Sequence, residues 1–153
     1  MKFSVNQKDL QQSLSYCQGV IEKRSTLPIL SNILLEAQGS KLKITATDLD
    51  LIFVNEIHNV EIIEEGKTTT SSSIMYDIIR KFSSGKKINF NLTSENKIQL
   101  ESEKSIFNLN CISATEFPIT EESFTESQFE INSKQLLKLL NKCKFSVSND
   151  ETR

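Results

Sequence analysis

The sequence predicts an α+β layer fold, with antiparallel sheets and helices on one side. Three observations carry that reading. First, the opening Phe3-Ser-Val-Asn-Gln-Lys-Asp-Leu10, with Leu14 and Cys17 after it, returns 126 residues later as Phe129-Glu-Ile-Asn-Ser-Lys-Gln-Leu136, with Leu140 and Cys143. A repeat at fixed spacing sets the architecture before any single element does. Second, the strand-into-helix pattern recurs once more inside the first repeat, at Lys67. Third, the remaining apolar runs are short, alternate with period two and are separated by turn residues. Residues 1–120 therefore read as one complete module, 121–128 as a linker within the polar, acidic stretch from Glu116 to Gln128, and 129–153 as the start of a sibling.

In the first half, residues 3–5 form a strand that enters a helix at about Gln7, expected to run to about residue 20. Leu10, Leu14, Cys17 and Ile21 make its apolar stripe. Pro28 pushes Leu27 into an extended conformation. Strands follow at Ile33–Ala37, Leu42–Thr47 and Leu51–Ile57, turned by Gly39-Ser40 and by Asp48 to Asp50. In the second half, Lys67–Ser72 is a strand and Ser73 is the expected N-cap of a helix over Ile74–Phe82. Ile74, Ile78, Ile79 and Phe82 are its expected buried stripe. Strands at Lys87–Leu92, Lys97–Glu101 and Ser105–Cys111 complete a second strand-helix-three-strand unit, and a third helix is expected over 133–143.

Composition bounds the class. Across 153 residues, 37% are hydrophobic and 25% charged, as in an ordinary globular chain. No stretch is long and apolar enough to span a membrane, and the first residues lack a secretory h-region. Cys17, Cys111 and Cys143 have no metal-ligand spacing, and Cys17 and Cys143, at equivalent apolar helix positions, read as reduced core residues of a cytosolic protein. No catalytic site, metal site or cofactor is predicted. His58 is a lone strand histidine, the four glycines are scattered at turns, and Asp48 and Asp50 have turn chemistry without a third carboxylate.

The net charge of −2 selects no partner, but its distribution is uneven. Residues 74–87 carry a net +3 and residues 134–144 a net +4, leaving the strands and loops acidic. Lys134, Lys138 and Lys142 recur every four residues and share one helix face, opposite Leu136, Leu140 and Cys143. A solvated helix face is the plain explanation. Against it, no acid accompanies these lysines to relieve their repulsion. Lysines without arginine forks neutralise phosphates but read no bases.

Several motifs together resemble a known family. Met1-Lys-Phe-Ser-Val5, Arg24-Ser-Thr-Leu-Pro-Ile-Leu30 with Asn32, Thr47-Asp-Leu49, Asp77-Ile78 with Arg80, and Ala114-Thr-Glu-Phe-Pro118 look like the bacterial sliding clamps, the β subunits of DNA polymerase III. The resemblance covers the whole chain. It implies a DNA-clamp fold, three such domains per subunit, and a head-to-tail homodimeric ring with helices inside and sheets outside. Its implied partners are duplex DNA, the polymerase III subunits and the clamp loader, in the cytoplasm at the nucleoid and not at a membrane. The role implied is a non-enzymatic processivity factor, with nucleotidyl transfer belonging to the holoenzyme. Arg24 matches the family's DNA-contacting arginine, and with Arg80, Lys134 and Lys138 from the basic helices it makes the expected DNA-binding set. Ser73 and Asp150 stand at two further DNA-contact positions but depart from the family's residue types there. Ile78, Phe107 and Leu109 are expected at the subunit interface. An adaptor built from tandem α+β modules is the competing reading.

Overall fold

The computed structural model describes residues 1–21, 27–93, 96–118 and 130–147. The chain divides into two units, Met1–Ile119 and Thr120–Arg153.

The first unit opens with β1 (Lys2–Asn6) running directly into α1 (Gln7–Cys17). Asn6 is the N-cap, its side chain accepting from the Lys8 amide at 2.9 Å. A short 3-10 turn at Pro28–Ser31 leads into β2 (Asn32–Gln38), β3 (Lys41–Thr47) and β4 (Ile52–His58). Then come β5 (Glu61–Glu64), β6 (Gly66–Ser71), α2 (Ser72–Ile79), β7 (Lys87–Thr93), β8 (Lys97–Ser102) and β9 (Ser105–Ile112). All pairings are antiparallel, in the order β4-β3-β2-β6-β9-β8-β7-β1-β5. The two sheets that the halves predict are joined through β9, which pairs with β8 along Ser105–Asn110 and with β6 at Cys111 and Ile112.

One core lies between the sheet and the two helices. Alternate residues of the strands, among them Phe3, Val5, Ile33, Leu35, Ile44, Ile88, Phe90, Ile98 and Leu100, meet Leu10, Leu14, Cys17, Met75 and Ile79. Phe3 and Phe90 stack with ring centroids 4.7 Å apart. β2 is buried on both faces, because Leu34 packs under Ala114 and Phe117 in a smaller cluster. Gly39 turns β2 into β3 at φ +60, a left-handed conformation that favours glycine. Asp48 holds the next turn, its Oδ1 accepting from the Asp50 and Leu51 amides at 3.1 and 2.6 Å.

Four details differ from the sequence reading. α1 stops at Cys17 and α2 at Ile79, each followed by turns. The N-cap position of α2 is Ser71, and Ser73 lies inside the first turn. Ile74 is 53% exposed, and the buried stripe of α2 is Ser72, Met75 and Ile79, with Ile78 and Phe82 partly buried. The fourth is β5, a strand that the sequence pattern does not predict. It follows β4 closely, with Asn59 at φ 58 marking the break, yet it pairs with β1 at the opposite end of the strand order.

In the second unit the described structure is α3 (Ser133–Cys143) and a 3-10 turn at Lys144–Ser146. Asn132 caps α3 as Asn6 caps α1, accepting from the Lys134 amide at 3.0 Å. Its leucines, Leu136, Leu137, Leu139 and Leu140, are exposed.

The phase of α2 is testable by stability. Met75→Ala should destabilise the first unit by about 2–5 kcal/mol, while Ile74→Ala should stay within about 0.5 kcal/mol, in chemical denaturation. The reverse order would mean that Ile74, not Met75, faces the core.

Candidate nucleic-acid interface

α1 and α2 lie side by side on the sheet and are tied by two side-chain bonds. Gln7 Nε2 donates to the Ile79 carbonyl at 2.9 Å, and Gln18 Nε2 to Ser72 Oγ at 2.8 Å. Gln7 and Ser72 are themselves buried, so these bonds also satisfy polar atoms inside the helix pair. With the inner faces held this way, the outer face of α1 presents Lys8, Gln12 and Ser15. That of α2 presents Ser73, Asp77 and Arg80, all exposed and spaced by four and three residues.

The charge on these faces differs from the count along the sequence. Lys86 and Lys87 lie beyond α2 and are committed to acids, at 3.4 Å to Glu103 and 2.7 Å to Glu61. Arg80 forms an ion pair with Asp77 at 3.0 Å. On α3, by contrast, no ion pair involves Lys134, Lys138 or Lys142 among the described residues. Arg24 and Asp150 lie outside the described residues. The structure thus brings Ser73 and Arg80 onto one face of α2 and Lys134 and Lys138 onto one face of α3.

A second surface is the open side of β9. Over Ser105–Leu109 the strand has β8 on one side and, among the described residues, no strand on the other. Phe107 is 39% exposed and meets Phe82 edge-on at 5.7 Å, while Leu109, 8% exposed, belongs to the core. Ile78 and Phe82 are partly buried against the core, and Ile106 is 58% exposed on the other face of the strand. Ile74 and Ile106 are two exposed apolar side chains that sequence periodicity misses, since it assigns one to the core and the other to the polar side of the strand.

No acid–base pair emerges among the described residues. In the cleft between α1 and β4, Asn55 donates to Ser13, and a hydrogen bond from Lys41 holds the Glu56 carboxyl below its ordinary range. Burial pushes the Cys17 thiol from 9.0 up to about 12 and raises Cys111 as well, so neither is a nucleophile at neutral pH.

Interlocked strand-helix-three-strand halves, with both helices on one side of the sheet, make the DNA-clamp fold. The chain belongs to the DNA polymerase III beta subunit family, whose N-terminal-domain profile matches residues 1–121. It is 32% identical to the beta sliding clamp of Caulobacter vibrioides, over 100% of this chain and 41% of that protein. It is 31% identical to that of Escherichia coli K12, over 100% of this chain and 42% of that protein. A crystal structure of the Caulobacter crescentus beta sliding clamp superposes with a TM-score of 0.93, at 32% identity, covering 100% of this chain and 41% of that one. The chain thus spans about two fifths of the length of these relatives. The family is a non-catalytic one of replication processivity factors.

The thiols offer a check on the helix faces. Cys143, which the sequence reading places in a core, is exposed among the described residues and should react at once with a thiol reagent, while Cys17 should react only on unfolding. Because the folded state keeps the Cys17 proton, its contribution to stability is complete below pH 9.0 and is lost as pH rises towards about 12. Rapid labelling of Cys17 in the native chain, read by mass spectrometry, would place it outside the core.

Proposed function

We propose that this chain works as part of a sliding clamp: a ring that encircles duplex DNA and tethers the replicative polymerase to its template. Residues 1–120 are the first clamp domain, 121–128 a linker and 129–153 the opening of the second. The observation that carries this reading is the α3 lysine face within a clamp-family chain. Lys134, Lys138 and Lys142 follow one another at helical spacing with no acid paired to them among the described residues. Such a face neutralises backbone phosphates without reading bases, the chemistry a ring needs to hold duplex at any sequence.

Arg24 joins Lys134 and Lys138 as a phosphate contact in this reading, and Arg80, paired with Asp77, is the cation that the first module's α2 face holds for the same backbone. Ser73 and Asp150 occupy contact positions without supplying a positive charge. Duplex DNA, polymerase III subunits and a clamp loader are the partners, in the cytoplasm at the nucleoid. Replacing Lys134 and Lys138 together by Ala should weaken duplex binding equally for unrelated sequences. The slope of log affinity against log salt should fall by about 0.9 for each phosphate no longer neutralised. Arg24→Ala should behave the same way for its single phosphate. Unchanged slopes for all three positions would remove them from the interface.

The open β9 edge, lined by Ile78 and Phe107, is the surface where one subunit meets the next head to tail. Leu109 contributes from beneath by holding the strand to the core. A free apolar edge recruits other chains, so the 153-residue chain should self-associate as its concentration rises in sedimentation. Phe107→Lys should suppress this. Ile106→Lys should do so too without disturbing the Phe82 contact. Monomeric behaviour of the parent chain at every concentration would show that the edge is covered.

A further inference from the structure

The exposed face of α2 carries one guanidinium, and it is already occupied. Arg80 Nη2 lies 3.0 Å from Asp77 Oδ1, and its central carbon sits 6.0 Å from the Tyr76 ring centroid. Both partners of the ion pair are about half exposed, at 52% and 57%. An exposed pair of this kind adds little to the stability of the fold. Its larger effect is on what Arg80 can do for another anion: a phosphate must compete with a carboxylate three residues away on the same helix face. Asp77 also adds a repulsive charge of its own beside any phosphate that approaches. α3 presents the opposite arrangement, three lysines at helical spacing with no acid among the described residues paired to them.

We propose that Asp77 governs whether Arg80 engages the DNA backbone, holding the guanidinium against Tyr76 and keeping the first module's helix face weak towards phosphate. The inference rests on the DNA-holding reading above and deepens it. The two modules then divide the contact unequally, with α3 supplying constant phosphate neutralisation and α2 supplying it only when Asp77 is displaced. Asp77 is a positioning residue: it acts through Arg80, which is the contact.

The test is a double-mutant cycle on duplex binding by the 153-residue chain, followed by fluorescence anisotropy across a salt series. Asp77→Asn keeps the shape of the side chain and removes its charge. It should raise affinity at low salt and steepen the salt slope by about 0.9, so that its advantage shrinks roughly threefold for a fourfold rise in salt. Arg80→Ala in the parent should change the slope little. Combining the two should erase the gain of Asp77→Asn, because the gain runs through Arg80. Two results overturn the proposal: no change on Asp77→Asn, or a gain that persists in full with Arg80→Ala, which would be a plain charge effect. The Lys134→Ala/Lys138→Ala chain separates the two levels. If it binds less tightly while Asp77→Asn has no effect, only the role of Asp77 falls. If it binds as the parent does, the DNA-holding face falls and the role of Asp77 with it.

Discussion

The first module depends on an exchange of strands between its halves. β1, which opens the first half, is hydrogen-bonded to β7 of the second from Lys2↔Asn91 to Asn6↔Lys87. β6, which opens the second half, is bonded to β2 of the first from Asn32↔Ser71 to Ala37↔Gly66. Each half therefore completes the other's sheet, and neither encloses a core alone. Phe3 stacks on Phe90 across that exchange, and the Gln7 amide extends the ladder to the Lys86 carbonyl at 2.9 Å. Because β1 and β6 run into α1 and α2 without a loop, the exchanged strands also set where both helices begin. The outward faces of the helices follow from a constraint in the sheet.

That constraint explains which features are legible in the sequence. Strands β1 to β4 and β7 to β9 fall within a residue of where the sequence pattern puts them, β1, β7 and β8 by clear alternation and β2 as an apolar run buried on both faces. The repeated Asn-x-Lys of residues 6–8 and 132–134 is a cap in both units, a local device that needs no tertiary partner. α2 is different. Ile74, Met75, Ile78 and Ile79 make it apolar on most sides, so periodicity permits more than one buried face. The direct entry from β6 and the bond from Gln18 to Ser72 select the face with Met75 and leave Ile74 outside. β5 escapes periodicity because Glu61-Ile-Ile-Glu64 is short and acidic, with Ile63 exposed. Its place in the sheet comes from the far-off β1. The α3 lysine face is legible from spacing alone, whereas Arg24 and the interface assignments rest on family resemblance, and neither source shows which charges are already paired.

Pairing, more than net charge, distinguishes the surfaces. Lys41 and Lys43 on β3 meet Glu56 and Glu36 on the neighbouring strands at 3.0 and 3.6 Å. Lys86 and Lys87 have their own acids. These cross-strand pairs are the sheet's counterpart of helical ion pairs and leave the sheet close to neutral locally. A chain of net charge −2 can thus still present unneutralised lysines, provided its acids are spent on the strands. The helix lysines of α3 are among those with no ion pair among the described residues, and their position opposite a leucine stripe follows from the same four-residue spacing that builds the helix.

The edges of the sheet obey a related logic. β5 ends one side with four residues, and Glu61 and Glu64 on it oppose strand addition by their charge. Glu61 is held by Lys87 and Glu64 by the Met1 amine, so this edge is short, charged and internally satisfied. β9 is longer, and over Ser105–Leu109 its open side carries exposed Ile106 and Phe107, the latter meeting Phe82 just after α2. A chain that guards one edge and leaves another apolar is not simply careless of aggregation, since the means of protection are present in the same sheet. The unguarded edge lies beside α2, and α2 packs against α1. A partner strand seated on β9 would therefore continue the sheet while leaving the outer faces of both helices clear, which is the geometry by which a repeated module can grow along its sheet and still keep one helical side for a polyanion.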